Sequence, residues 1–442
     1  MSRTGPLPAA PSFPCPLLCS FSRLSRSPRS QTQASFLMSI DGVLLFSGGL
    51  DSILAALLLQ EQGLNIRCLH YVSPFFGSPR ARSRWKQLYG LDVEIADAGP
   101  EMVRLVRGWP EHGFGKVMNP CVDCKITLLR LAKRRMEELG GSFIATGEVL
   151  GQRPMSQRRD IMNLIRHQAG VDDLLLRPLC AKHLDPTPCE LSGLVDRERL
   201  LDLHGRGRQE QLNLARHYGL TEIPSPGGGC LLTERENARH YWPLRKYREE
   251  PTVEDFRLAN CGRQLWHAEE GTACWMVVAR NNRDNDRLRA FAAADDLLAG
   301  LCDYPGPIAL LRDGCRWSED LLARSCSQFV SYAPRVTQAL EQNSALEVRV
   351  WLKRADATQT VLTVRPDTER TFLARPDWEE VRAEKHALAS KKEEERRAEL
   401  KLVKEARQKA WLASHPDRTP VQATAPGSAQ DAAPNPVPDQ DA

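Results

Sequence analysis

A chain of 442 residues, 42% hydrophobic and 26% charged, has room for two or three domains and is too apolar to be disordered throughout. Its 60 basic and 56 acidic residues leave a formal charge of +4, so any nucleic-acid surface has to be a local patch. Thirteen cysteines over this length exclude a small secreted disulfide scaffold and point to a reducing compartment, the cytoplasm.

Residues 1–37 mix proline, serine and arginine with the short apolar pieces FPCPLLC and ASFLM. Pro11, Pro14 and Pro16 break a signal helix, and no apolar run reaches the roughly 20 residues that cross a membrane. A disordered leader or extension is expected there, with Met38 as an alternative start; a targeting segment is the rival reading, since the stretch is basic and holds no acid. GVLLFS, residues 42–47, is a short apolar run without alternation, the pattern of a strand covered on both faces. A helix follows over about 51–62 with Gly63 as its stop, and NIRCLHYV, 65–72, reads as a second strand. RARSRWKQLYG suits a helix ending at Gly90, followed by the strand DVEIADAG. This alternation is the grammar of a parallel sheet with helical crossovers.

After a loop containing NPCVDC, the segment KITLLRLAKRRMEELGG puts Ile126, Leu129, Leu131, Met136 and Leu139 on one broad apolar side of a helix. SFIATG, 142–147, follows as a buried strand, DLLLRPLC as a further strand and RQEQLNLARHYGL as a helix. A compact α/β domain with a Rossmann-like parallel sheet is therefore expected over 38–234. Residues 235–300 read as a mixed connecting region whose clearest helix is DNDRLRAFAAADDLLAG, closed by Gly300. PGPIALLRD, ALEVRVWLKR and TVLTVRPD carry strand-forming residues, so 301–376 is read as a smaller α+β domain. A charged helix is expected over 377–415, since 381–410 hold ten Lys or Arg against six Glu, and a disordered tail over 416–442.

The stretch LLFSGGLDS concentrates the chemistry. At the carboxyl end of a buried strand, adjacent glycines let the backbone turn tightly and bring N–H groups to an anion with no Cβ in the way. The next helix adds the positive end of its dipole, and Ser47 and Ser52 add hydroxyls, so phosphate oxygens fit. Asp51 would repel a phosphate unless it held magnesium or another part of a nucleotide. The lysine of the usual ATPase phosphate loop and the dinucleotide fingerprint are both missing.

SGGLDS, Ser47 to Ser52, resembles the SGGxDS loop of the PP-loop enzymes, the adenine nucleotide alpha hydrolase-like ATP enzymes that adenylate their substrates. The resemblance implies ATP and Mg2+ as cofactors, with Ser47, Gly48, Gly49, Asp51 and Ser52 around the pyrophosphate. Thr146 and Gly147, which end the strand FIATG, look like that family's second contribution to the nucleotide pocket.

Cys121 and Cys124 in NPCVDCK stand just ahead of a helix, where the helix N-terminus and Lys125 are expected to lower a thiol pKa. PSPGGGC delivers Cys230 behind three glycines, at a cost in chain entropy that an ordinary core cysteine does not require. The set resembles the tRNA-thiolating branch of the PP-loop enzymes: the tRNA 2-thiouridine synthases, in which Cys121 and Cys230 would be the catalytic pair, and the three-cysteine iron–sulfur thiolases. In the second case Cys121, Cys124 and Cys230 would be metal ligands of a 4Fe–4S cluster. Cluster, persulfide without a cluster, zinc and ordinary structural cysteines all remain open at this stage. Gly151, Gln152, Arg153 and Gln157 form a polar loop suited to substrate contact, and Arg158, Arg159 and Arg166 are read either as phosphate contacts or as solvated arginines.

The reading implied is an ATP-dependent tRNA sulfurtransferase that adenylates a pyrimidine and replaces its oxygen with sulfur. Its partners would be tRNA and a sulfide or persulfide donor, with no membrane. A PP-loop enzyme acting on a small molecule or carrier protein, and a non-catalytic RNA-binding protein, are the rivals.

Overall fold

The computed structural model describes residues 40–224, 229–269, 272–354 and 358–414. The leader with Met38, the tail beyond Ser414, and Pro226, Gly227 and Gly228 lie outside the described residues. In chain order the first elements are β1 (Gly42–Leu45), α1 (Leu50–Glu61), β2 (Ile66–Val72), α2 (Arg82–Tyr89), β3 (Val93–Asp97) and α3 (Gly99–Arg107). Then come α4 (Cys121–Glu138), β4 (Phe143–Thr146), α5 (Arg159–Ala169), β5 (Leu175–Leu176), α6 (Pro188–Leu191) and α7 (Gln209–His217).

Every strand of this half pairs in parallel, in the order β3-β2-β1-β4-β5. The expected α/β fold is thus observed. Residues of β1 alternate between two cores: Val43 and Leu45 face Met102 and Val106 of α3 with Ile126, Leu129 and Met136 of α4, while Leu44 faces Ile53 and Leu54 of α1. Such two-sided burial explains why β1 reads as a continuous apolar run. Succession runs from β1 outward to β2 and β3, then returns to β4 on the other side. The switch point therefore lies between the carboxyl ends of β1 and β4, where parallel sheets of this kind open a crevice.

The chain continues through α8 (Arg235–Tyr247), α9 (Val253–Ala259), β6 (Arg263–Glu269), β7 (Thr272–Val278), α10 (Asn282–Phe291), β8 (Leu297–Leu301) and β9 (Ala309–Leu311). It ends with α11 (Glu319–Val330), α12 (Pro334–Gln342), β10 (Val348–Lys353), β11 (Gln359–Val364) and α13 (Trp378–Ser414). Strands β6 to β11 form one antiparallel sheet, in the order β11-β10-β8-β9-β7-β6. Gly300 and Leu301 are consecutive residues of β8, so the connecting region and the small α+β region expected on either side of them share one sheet.

The helix expected over 284–300 is corrected: α10 stops at Phe291, and Leu297–Leu301 is a strand. Its apolar run is buried between sheet neighbours, and Gly300 is there because the Trp351 ring lies where a Cβ would stand. The parallel-sheet core runs on without a break through Tyr241, Trp242 and Phe256 to the stacked pair Trp266 and Trp275 and to Val381 of α13. Beyond its first turns α13 is almost wholly exposed, as the charge pattern predicts. No helix among the described residues is long and apolar enough to cross a membrane.

Candidate nucleotide and thiol site

The turn after β1 is built by Gly48, whose φ of +81° is left-handed and whose missing Cβ would stand 2.8 Å from the Trp85 ring. Only glycine fits there. The Gly49 N–H donates to Ser47 Oγ at 3.3 Å, the Ser47 and Ser52 hydroxyls lie 3.2 Å apart, and Ser52 Oγ donates to Gly49 O at 2.8 Å. The turn opens directly onto the first turn of α1, whose dipole favours an anion.

Asp51 sits in that first turn. Gln152 Nε2 donates to its Oδ2 at 3.2 Å, while Oδ1 is buried with no partner among the described residues. Burial raises its pKa, opposed by the Gln152 hydrogen bond and the charges of Arg208 and Arg153. An orphaned carboxylate oxygen in a glycine turn at a helix N-terminus is a fitting ligand for a hard cation such as Mg2+. Gly147, at the end of β4, closes the other side of the crevice: a Cβ there would come 2.6 Å from Ser52 N. Thr146 is 1% exposed, with its hydroxyl donating to Glu148 Oε2 at 3.0 Å, so it supports Glu148 and does not line the cradle.

Cys121 is the first residue of α4, capped by Pro120, and the Cys124 N–H donates to Pro120 O at 2.7 Å. Asn119 Nδ2 donates to Cys121 Sγ at 3.1 Å and reaches Met155 Sδ at 3.3 Å. The Cys230 segment is pinned beside this loop: the Met118 N–H donates to Leu232 O at 3.1 Å and the Leu231 N–H to Phe75 O at 2.8 Å. Thr233 Oγ1 donates to Cys230 O at 2.7 Å. All three cysteines are free and half-buried, and Cys124 and Cys230 pack against the same core.

Cys124 lies in the field of both other thiols, and Cys230 in that of Cys121. Burial pushes Cys124 up to about 12, with Cys230 and Cys121 adding to the rise and Lys125 opposing it. Burial likewise pushes Cys230 up to about 11, with Cys121 and Glu234 among the contributors. The expectation that Lys125 and the helix terminus would lower a thiol pKa is therefore corrected at Cys124: desolvation outweighs them, and Lys125 is drawn toward Glu148 at 3.4 Å.

Three soft thiols are the right chemistry for an iron–sulfur cluster. Among the described residues, however, no three His, Cys, Asp or Glu side chains stand close enough together to hold a metal ion. The expected ligand set Cys121, Cys124 and Cys230 is gathered in one region but is not assembled as the ligand set of a cluster.

Glu148 was missed at the sequence level, although an acid directly after ATG in an otherwise apolar run was a signal. It is 3% exposed and is held by Arg177 at 3.0 Å, Thr146 and Lys125. Burial alone would raise its pKa, but Lys125 and Arg177 overcome this and hold the carboxyl well below the usual range. Because Glu148 follows Gly147 and Lys125 follows Cys124, their ion pair ties the crevice between β1 and β4 to the thiol loop. Of the polar loop, Gln152 reaches Asp51, whereas the Gln157 N–H donates to Arg153 O at 2.9 Å within the loop itself. Arg158 pairs with Asp160, Arg159 donates to His183 O and Arg166 lies 3.6 Å from Asp172, which favours a structural role for these three.

Residues 38–185 match the family model described as Thiamine biosynthesis protein (ThiI). A probable tRNA sulfurtransferase of Thermococcus kodakarensis is 31% identical over 145 residues, 31% of this chain and 36% of the relative. One from Staphylococcus epidermidis is 28% identical over 144 residues, 31% of this chain and 33% of the relative. The chain thus spans about a third of the length of these curated relatives. The solved U34-tRNA thiolase NcsA from Methanococcus maripaludis, with its 4Fe–4S cluster, overlaps 42% of this chain and 61% of its own at 19% identity and a TM-score of 0.24. A predicted tRNA methyltransferase subunit from Methanocaldococcus jannaschii overlaps 31% and 67% at 17% identity and a TM-score of 0.23. At those scores the two structural likenesses carry no argument.

Proposed function

We propose that this chain, whose residues 38–185 match the ThiI family model, is an ATP-dependent tRNA sulfurtransferase. The observation that carries the reading is the placement of a phosphate cradle, with an unpartnered Asp51 oxygen, next to a loop where Cys121 and Cys230 are neighbours. Ser47, Gly48, Gly49 and Ser52 receive the β- and γ-phosphates of ATP. Asp51 would hold Mg2+, which when bound would supply positive charge beside the phosphates.

A pyrimidine carbonyl oxygen of tRNA attacks the α-phosphorus, and the product carries AMP as a leaving group. Sulfur arrives as a persulfide on Cys121, whose terminal sulfur attacks the activated carbon and expels AMP. The Cys230 thiolate then attacks the Cys121 sulfur. This breaks the S–S bond, leaves sulfur on the base, and forms a Cys121–Cys230 disulfide that a thiol reductant returns to two thiols. Cys124 packs in the core beside them. The partners are tRNA and a persulfide donor, and the reducing cytoplasm is the compartment that suits the cycle.

Mass spectrometry of nucleosides from total tRNA of a strain lacking the gene tests the reading. One missing thionucleoside, restored by the wild-type gene, supports it. An unchanged nucleoside profile contradicts it and favours a small-molecule or carrier-protein acceptor, which activity without RNA would reveal.

A further inference from the structure

We infer that the first turns of α13 belong to the thiol site: the consecutive residues Glu384 and Lys385 clasp the two cysteine-bearing segments together, with Lys385 as a positioning residue for Cys121. This rests on the thiol chemistry proposed above. Lys385 is 5% exposed, in a helix whose remaining basic residues face water. Its ammonium donates to three successive carbonyls, Gly115 O at 2.8 Å, Lys116 O at 2.8 Å and Val117 O at 2.9 Å.

Among the described residues no carboxylate pairs with it, so three backbone oxygens satisfy all three donors of a buried charge. Such an arrangement fixes the shape of the loop it fills. The contacts continue toward the thiol: the Gly115 N–H donates to Asn119 O at 2.9 Å, and the Asn119 amide donates to Cys121 Sγ. Gly115 itself has no room to drift, since a Cβ there would come 2.6 Å from Asn119 Nδ2 and 2.8 Å from Met155 Sδ.

Glu384 grips the other arm. Its Oε2 accepts from Trp242 Nε1 at 2.6 Å and its Oε1 pairs with Lys246 at 2.5 Å, both on α8, the helix that begins shortly after Cys230. The Met118 N–H on Leu232 O closes the same circuit between the arms. Without the ammonium, three inward carbonyls lose their donor and turn toward water, drawing Asn119 and Cys121 away from Cys230.

The test uses the full-length chain and the short bifunctional thiol reagent dibromobimane, with peptide mass spectrometry counting Cys121–Cys230 cross-links. Lys385→Ala should slow cross-linking about tenfold, the scale of one or two lost buried hydrogen bonds, and added propylammonium should restore it by refilling the carbonyl cage. Binding of an ATP analogue should stay near the wild-type value, because its cradle is made by β1 and β4. Cross-linking of Lys385→Ala at the wild-type rate, or slowed cross-linking that propylammonium does not restore, overturns the clasp.

If the variant does not fold, acetylation of the wild-type protein decides the matter. The Lys385 amine should react about tenfold more slowly than Lys391 and Lys392, and equal labelling overturns the proposal. The two readings fail separately: a protein that makes no thionucleoside but cross-links in a Lys385-dependent way refutes the enzyme and keeps the clasp.

Discussion

Glu148 Oε1 lies 3.4 Å from Lys125 Nζ, joining the residue after Gly147 to the residue after Cys124. A buried carboxylate between two cations is destabilising to remove on one side only. Glu148→Gln should therefore lower the unfolding free energy by about 3–5 kcal/mol in a urea titration, by leaving Arg177 and Lys125 with an unbalanced buried charge. A loss below 1 kcal/mol would contradict this.

The same group sets a pH dependence. Its folded pKa is depressed, so its contribution to stability is complete above the unfolded value of roughly 4.3 and is lost as pH falls below that toward the folded pKa. Urea midpoints of wild type and Glu148→Gln should differ most at neutral pH and converge as the medium becomes strongly acidic.

Asp51→Asn should abolish AMP formation, by at least about a hundredfold, if its orphaned oxygen holds the magnesium. Folding should survive, because the change removes a desolvated charge that Gln152 only partly compensates. Thermal unfolding at or above the wild-type temperature, together with lost AMP release, is the expected pair of results; unchanged turnover would refute the role.

Gly147→Ala and Gly90→Ala separate a close approach from a merely left-handed turn. At Gly147 a methyl meets the backbone of Asp51 and Ser52, so the crevice has to widen and ATP affinity should fall about tenfold or more. Gly90 has a φ of +69° but open space around it, so alanine there should cost only about 1 kcal/mol and leave ATP binding intact. Equal effects on ATP affinity would contradict the arrangement.

Truncation after Ser390 keeps Glu384 and Lys385 but removes the exposed basic part of α13. Weaker tRNA binding with a shallower salt dependence, and unchanged Cys121–Cys230 cross-linking, is the expected outcome if that part meets phosphate. Unchanged affinity would return it to the status of a solvated appendage.

The parallel half of the fold was legible because β1, β2 and β4 are buried on both faces and their crossovers end at glycines such as Gly63 and Gly90, each with a positive φ. The glycine turn was legible for the same local reason: Gly48 to Asp51 are four consecutive residues at one strand-to-helix junction. What escaped depends on pairs far apart in sequence. Leu297 to Gly300 looked helical because AAADDLLAG has helix formers, yet its partner strands, Ala309–Leu311 and Val348–Lys353, decide its state. Glu148 was hidden because its cations come from Lys125 and Arg177, and Lys385 because nothing in a mixed-charge helix marks the one lysine that turns inward. The lowered thiol pKa was expected from Lys125, but burial, which is a tertiary property, governs Cys124.

Incubating the full-length chain with unmodified tRNA, MgATP, a persulfide donor and a thiol reductant, while counting AMP and thionucleoside in the same tube, tests the central claim most directly. The account predicts that wild type yields both in equal amounts, that Asp51→Asn yields neither, and that Cys230→Ser yields AMP without the free thionucleoside. Thionucleoside formed without ATP, or AMP released by wild type with no sulfur reaching the tRNA, would contradict it.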